Sequence, residues 1–251
     1  MTTSIDDLDT LSTEDFQRGG NVLLGELGSD DLLPFRYRAH RVTLARGDEL
    51  SRPNENIATA YFIESGVASI IRPGRSGRKT EICLLGREAL SGGAIITADG
   101  RWPYLTIVQS KTLRAIKLSA EALRSAAAQS EGLHTLIVRS MHVVMIQIAE
   151  GLVGASEQTM QARLARWLLM YRDRLGSDNI EVTHEFIAIM IGAQRTGVTL
   201  TLHELEGAGM IAASRGLIVL KDVGALGKLA DDSYGTPEDE HERLVAAPIA
   251  R

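Results

Sequence analysis

The feature that most constrains this chain is an unbroken helical pattern in its middle. Residues 131–154 contain no proline, and Leu133, Ile137, Met141, Val144, Ile148 and Leu152 recur at steps of four and three. That spacing makes one face of an α-helix or a coiled-coil seam. Val138, Met145 and Ala149 widen the stripe. A stripe this wide can serve two surfaces, the chain's own core and a second copy of the chain. The helix also divides the sequence into two parts whose local patterns differ in kind.

Before it, short alternating runs are separated by turns. Arg41–Leu44 ends at Arg46-Gly47-Asp48, Ala60–Ile63 ends at Glu64-Ser65-Gly66, and Val67–Ile71 enters a turn rich in glycine and arginine at Arg72–Arg78. Lys79–Leu85 returns from that turn, and Tyr104–Val108 and Thr112–Leu118 close the series. Period-two alternation with spaced turns predicts an antiparallel β-roll or barrel. After the long helix, Ser156 is placed to cap a new helix with Leu164, Trp167, Leu168 and Tyr171 on its buried face. Then follow a helix from His184 to Ile191, the turn Gly192-Ala193, a helix from Gln194 to Gly207 and a hairpin over 211–221 that turns at Ser214-Arg215-Gly216. Helix, glycine turn, helix, hairpin is a winged helix-turn-helix order. The expected class is α+β, with a sensor barrel over 32–130, a long dimerisation helix over 131–155 and a winged helix-turn-helix over 156–230.

Charge separates the ends from this body. The net charge is −5, but residues 1–31 carry −7 and residues 231–251 carry −4, which leaves +6 on residues 32–230. The two ends read as an acidic N-terminal segment and an acidic C-terminal tail, solvated and partly mobile. The excess positive charge lies in residues 32–155, because residues 156–230 hold eight bases and eight acids. One cysteine, Cys83, excludes a disulfide scaffold and an iron–sulfur cluster held by this chain's thiolates. No uninterrupted apolar run approaches the roughly 18–20 residues of a membrane span. The acidic N-terminus has no signal-peptide pattern, so the expected setting is a reducing cytoplasm.

The order of barrel, long helix and winged helix-turn-helix resembles the Crp–Fnr superfamily of bacterial transcription regulators over roughly residues 20–230. The most specific stretch is Thr183–Thr199, a helix ending in glycine and a small residue, then an arginine opening a second helix. Leu202–Ile211 resembles the family's entry to the wing, and Tyr61–Val67 resembles a barrel strand leading into a glycine turn. The resemblance implies a cyclic-nucleotide-binding type of barrel, a homodimer paired through the long helix at Leu133, Ile137, Met141, Val144, Ile148 and Leu152, and double-stranded DNA with a pseudo-palindromic operator as partner.

In such a motif the N-terminal end of the second helix faces base edges in the major groove. Arg195 is placed to bridge guanine O6 and N7. Gln194 is a candidate for a base or a phosphate, Thr196 and Thr199 offer hydroxyls to phosphate, and Gly197 allows close backbone approach. Arg215 at the wing tip is a candidate phosphate contact. A solvated or helix-capping arginine is the alternative at position 195. Many family members carry an acidic residue after the arginine and a second arginine four positions further on. Here those positions are Thr196 and Leu200, so the base preference of the best-known members does not carry over.

Cyclic-nucleotide-binding members use a glutamate for the ribose and an arginine for the phosphate. The matching stretch here is Gly86–Ala94 followed by Trp102–Leu105, with Gly93 where the glutamate would be and Pro103 or Tyr104 where the arginine would be. Glu88 and Arg101 are displaced candidates, and Gly92, Gly93 and Tyr104 complete the candidate ligand pocket. The expectation is a barrel of this type that does not bind cyclic nucleotides, with its ligand unknown.

No cofactor, metal site or catalytic residue is expected. His40, His134, His142, His184, His203 and His241 form no metal-spaced cluster, and Cys83 reads as a buried small hydrophobe. There is no glycine-rich phosphate loop and no nucleophile elbow, so the chain is not expected to be an enzyme. The basic turn of Arg72, Arg75, Arg78 and Lys79 is a solvated loop, or else a contact for RNA polymerase or for DNA bent around a dimer. A second class of function is a sensor or protein-interaction module whose helix-turn-helix has lost DNA affinity.

Overall fold

The computed structural model describes residues 11–74, 79–231 and 234–245. Arg75 and Arg78 of the basic turn lie outside the described residues; Arg72 and Lys79, at its edges, are exposed.

The described residues begin with three short helices, α1 (Thr13–Arg18), α2 (Val22–Gly25) and α3 (Ser29–Leu32). The described part of the N-terminal segment is therefore not a solvated tail. A capping box between Ser12 and Asp15 starts α1. Phe16, Leu23, Leu24, Leu27 and Leu32 are buried in a core shared with the barrel and the helices that follow. Asn21 fixes the contact, donating from its amide to the carbonyls of Ile63, Arg87 and Ala89 at 2.9, 3.1 and 3.1 Å. Among the described acids of this segment, Glu14, Glu26 and Asp30 are exposed and Asp15 and Asp31 half-buried, between these apolar positions.

The barrel strands are β1 (His40–Ala45), β2 (Glu49–Ser51), β3 (Thr59–Ser65), β4 (Ala68–Pro73), β5 (Lys79–Leu85) and β6 (Leu90–Ser91), then, after the short helix α4 (Ala94–Thr97), β7 (Leu105–Val108) and β8 (Thr112–Ser119). They form two antiparallel sheets, ordered β1-β8-β3-β6 and β2-β7-β4-β5. Alternation sets the faces. Ile63 pairs with Ala115 and points into the barrel core with Leu113, Val108 and Ile70. Phe62 pairs with Ile116 on the opposite face, which the N-terminal helices and α5 (Ala120–Gln129) cover. Ser119 caps α5, accepting from the N–H of Ala122.

The long helix α6 runs from Glu131 to Glu157, two residues past the expected end. Ser156 does not cap the next helix, because α6 carries through it. Thr159 is the cap, accepting from the N–H of Ala162 at the start of α7 (Met160–Leu175). The α6 stripe splits in two. Leu133, Ile137 and Val144 are buried against the chain's own barrel and N-terminal helices. Val138, Met145 and Leu152, seven residues apart, are 43, 58 and 72% exposed, with half-buried Met141 and Ile148 between them. By length and composition α6 is also apolar enough to cross a membrane, which the count of uninterrupted apolar residues did not register. One face of it packs into the barrel core, with Leu133, Ile137 and Val144 buried.

The remaining elements are β9 (Asn179–Ile180), α8 (His184–Met190), α9 (Arg195–Gly207), β10 (Ile211–Ser214), β11 (Leu217–Leu220), α10 (Val223–Ala230) and α11 (Thr236–Val245). The wing has three strands in the order β10-β11-β9, so the expected hairpin gains a strand from the segment before the motif. The core of this region continues into the barrel. Trp167, Leu168, Tyr171 and Met190 pack with Ile71, Leu84 and Leu105 from the outer face of the β4, β5 and β7 sheet.

The C-terminal segment differs from the expected tail. Helix α11 lies against α6, burying Pro237 and Val245, and Arg139 on α6 donates to the carbonyl of Leu244 at 2.8 Å. Its acids are partly used. Arg174, buried on α7, pairs with Glu88 of the barrel at 2.8 Å and with Glu238 of α11 at 3.3 Å. Three segments far apart in sequence therefore meet at one guanidinium. A charge that deep needs such partners to be retained in a fold.

Candidate nucleic-acid interface

Helix α8 starts at Thr183, whose hydroxyl accepts from the N–H of Phe186. It ends in a tight turn in which Gly192 takes φ 63° and Ala193 donates to the carbonyl of Ala188 at 2.8 Å. That is the glycine-terminated helix end, and the positive φ explains the glycine. Arg163 on α7 donates to the carbonyl of Ile191, tying the end of α8 from outside. Val198, Leu202 and Leu205 are buried and lock α9 onto the domain. The turn and these three side chains fix the direction in which the start of α9 points.

That start faces solvent. Gln194, Arg195 and Thr196 are exposed. Gln194 holds the cap position but makes no side-chain bond to the helix, so no side chain caps the first turn of α9. A helix N-terminus left in this state favours anions, through its free N–H groups and the helix dipole. Arg195 makes no ion pair among the described residues, a state that suits the solvated arginine of the alternative reading as well as a base contact. A Cβ on Gly197 would touch only Met160 Cε at 3.8 Å, an ordinary contact, so nothing inside the protein demands glycine there.

Thr199 is placed differently from the sequence expectation. Its hydroxyl donates to the carbonyl of Arg195 at 3.0 Å and lies 3.0 Å from His184 Nδ1. Both bonds are internal, so Thr199 joins α8 to α9 and is not free for phosphate. Burial first, then neighbouring His203 and Arg195, lowers the His184 pKa and favours the neutral ring. Arg215 is exposed at the wing tip next to Gly216 at φ 77°. Leu200, on the same helix, is 64% exposed. That surface carries an apolar side chain where the implied pattern has arginine.

The candidate ligand pocket does not assemble. Gly92 and Gly93 line a barrel cavity of about 20 Å³ with Trp102, Thr106 and Met141, room for about one water. A Cβ on Gly93 would collide with Met141 Sδ, so α6 fills the place a side chain at 93 would need. Glu88 points away to its pair with Arg174. Arg101 is exposed and donates to the carbonyl of Asn54 at 3.1 Å. Tyr104 meets Trp102 edge to face at 5.3 Å. Of the five candidates, only the two glycines share the cavity.

Two features were not found in the sequence. Arg163 was not singled out in the sequence, and its role depends on where the carbonyl of Ile191 ends up. Glu81 was placed only within the strand Lys79–Leu85. Its carboxyl accepts from the Trp167 indole at 3.0 Å and bonds the Ser69 hydroxyl. Burial pushes its pKa up to about 7. Burial likewise raises the Cys83 thiol, in keeping with an inert buried residue. The described residues contain no group of histidine, cysteine and carboxylate side chains able to hold a metal.

Residues 162–229 match the Crp-like helix-turn-helix domain. No curated protein matches the sequence. Among solved structures, a CRP-family transcriptional regulator from Thermus thermophilus superposes with a TM-score of 0.64 at 22% identity, covering 77% of this chain and 98% of that one. A putative transcriptional regulator of the Crp/Fnr family from Eubacterium rectale gives 0.65 at 18% identity, covering 83% and 97%. The c-di-GMP responsive global regulator CLP from Xanthomonas campestris gives 0.64 at 16% identity, covering 83% and 100%.

Proposed function

We propose, from the premise that this chain has the fold of CRP/FNR-family regulators with a Crp-like helix-turn-helix domain at residues 162–229, that it is a sequence-specific DNA-binding transcription regulator acting as a homodimer. The observation that carries the reading is the start of α9. Gln194, Arg195 and Thr196 stand exposed at a helix end that no side chain caps. A guanidinium there can make the paired hydrogen bonds that single out guanine, each good pair being worth about 1–3 kcal/mol. Thr196 and Arg215 hold the frame on the phosphates.

The homodimer reading rests on the outer face of α6. Val138, Met145 and Leu152 recur every seven residues and are exposed, and Met141 and Ile148 between them, which also touch the chain's own core, complete the three-and-four spacing of a two-stranded seam. Two copies joined there would present two α9 helices to half-sites about 34 Å apart. In the barrel, the filled cavity supports a protein that does not respond to cyclic nucleotides through that site. Calorimetric titration with cyclic AMP and cyclic GMP is expected to give no saturable heat, and micromolar binding would overturn this part.

The test of the main reading is selection of random double-stranded DNA by the purified protein, followed by sequencing. The expected result is a pseudo-palindromic site whose affinity falls steeply as salt rises. Failure to enrich any sequence would favour the second reading, a sensor or interaction module without DNA binding. That reading draws its support from the balanced charge of residues 156–230.

A further inference from the structure

Among the described residues of 160–230, Leu200 is the one large apolar side chain left mostly in water, at 64% exposed. The other large exposed apolar side chains belong to α6 or to the segment before β1. Spacing sets the place of Leu200 on α9. Val198, Leu202 and Leu205 are buried and define the inner face. Leu200 stands on the opposite face, one turn after exposed Thr196 and one turn before exposed His203 and Glu204. Gly197, one turn earlier, has no side chain to hold the helix away from a ligand surface. The two acids of α9 are engaged within the protein. Glu204 accepts from the Gln161 amide of α7 at 2.9 Å, and Glu206 accepts from the N–H of Ala213 at 2.8 Å.

We propose that Leu200 reads the methyl group of a thymine and so sets a second base preference in each half-site. The inference rests on the DNA-reading proposal above and names what that site recognises beyond the base met by Arg195. Leucine has neither donor nor acceptor, so it cannot sort bases by their hydrogen-bonding edges. The apolar feature of a major-groove edge is the C5-methyl group of thymine. An isobutyl group gains by covering that methyl. Over a cytosine amino group or a guanine carbonyl it would strip water from a polar group and offer nothing in return. The even charge of residues 156–230, eight bases and eight acids, points the same way. With little net attraction to phosphate, apolar contact carries more of the recognition. The five residues from Arg195 to Leu200 advance about 7.5 Å along the helix, roughly two base-pair steps. The thymine is therefore expected within about two base pairs of the guanine met by Arg195.

The test starts from the site obtained by selection. The position is located relative to the base whose preference Arg195→Ala relaxes, and thymine is expected there. Replacing that thymine by uracil in both half-sites removes one methyl and keeps every base-pair hydrogen bond. Mobility shifts at fixed salt are expected to show wild-type affinity reduced by about three- to fivefold per half-site. Leu200→Ala is expected to bind the thymine and uracil sites alike.

Three outcomes each overturn the inference. They are no thymine within that distance, wild-type protein indifferent to uracil, or full uracil sensitivity retained in Leu200→Ala. The last assigns the methyl to another side chain such as Thr196. The uracil comparison uses wild-type protein, so it stands even where Leu200→Ala misfolds. Selection of no sequence at all overturns the DNA reading and this inference together. A selected site without methyl dependence overturns the role of Leu200 alone and leaves the regulator intact.

Discussion

At the barrel pocket both charged candidates are spent inside the protomer, Glu88 on Arg174 and Arg101 on a backbone carbonyl. At the start of α9 the candidates remain in water, with Arg195 unpaired among the described residues and Gln194 not bonded to its own helix. The same resemblance pointed to both regions. The difference teaches that a residue type at a motif position becomes a site only where folding leaves it without an internal partner. Glu88 is half-buried, where charge is costly unless paired, so the fold consumes it. Exposed charge costs little to leave free and is available to a partner.

The sharpest way to break this comparison is to ask whether α9 can read DNA from a single protomer. Met145→Glu combined with Leu152→Glu places like charges along the proposed seam. The protein is expected to sediment as a monomer and to lose about 10²–10⁴-fold in affinity for a two-half-site operator, because the second contact is no longer linked to the first. Retention of dimer mass would move the interface off α6.

Arg195→Ala comes next. Mobility shifts at fixed salt should show a loss of about 1–3 kcal/mol, with specificity relaxed at one base position of each half-site. An equal loss on every sequence would make Arg195 a phosphate contact. In the barrel, Gly93→Glu restores the implied acid but drives it into Met141. Urea denaturation is expected to show destabilisation by about 1–3 kcal/mol from overpacking, with no gain of cyclic-nucleotide binding. Gain of binding would show that the pocket is only one residue short.

A smaller effect belongs to Glu81, the partner of Trp167. Its carboxyl holds a proton up to about pH 7 in the fold against an ordinary value of 4.5. Its surroundings are Ser69, Trp167, Arg174 and Arg166, with desolvation dominant. A raised acid pKa means the folded state binds the proton more tightly, so stability contributed by this group is lost as pH rises from about 4.5 to about 7. Melting temperatures across that interval should fall in the wild type and lose that slope in Glu81→Gln. The smallest effect is Gly197→Ala. Replacing an interior helix glycine whose Cβ meets no obstacle should stabilise α9 by about 0.5–1 kcal/mol. Weaker operator binding in that more stable protein would place DNA backbone against position 197.

Much of the fold was legible because it is local. The long helix was read over 131–155 and runs Glu131–Glu157. Strand alternation placed β3, β5 and β8, and Gly192 marked the turn of the helix-turn-helix through its positive φ. The errors were also local in origin. Ser156 is a good cap by type, but Thr159 lies at the position where the chain actually leaves α6. Residues 231–251 looked like a tail because their acids dominate, yet within them Thr236–Val245 forms α11, with Pro237 and Val245 buried.

The sequence by itself determined which segments are helix or strand, where the turns fall, and which side chains stand at the head of α9. These follow from propensity, periodicity and capping within a few residues. Only the tertiary structure decided which half of the α6 stripe is core and which is left unpartnered. It also decided that Glu88 serves Arg174 and that Met141 fills the barrel pocket. Each of these depends on groups tens of residues apart arriving at one point. Burial and charge pairing are set by that arrival and leave no local trace in the chain.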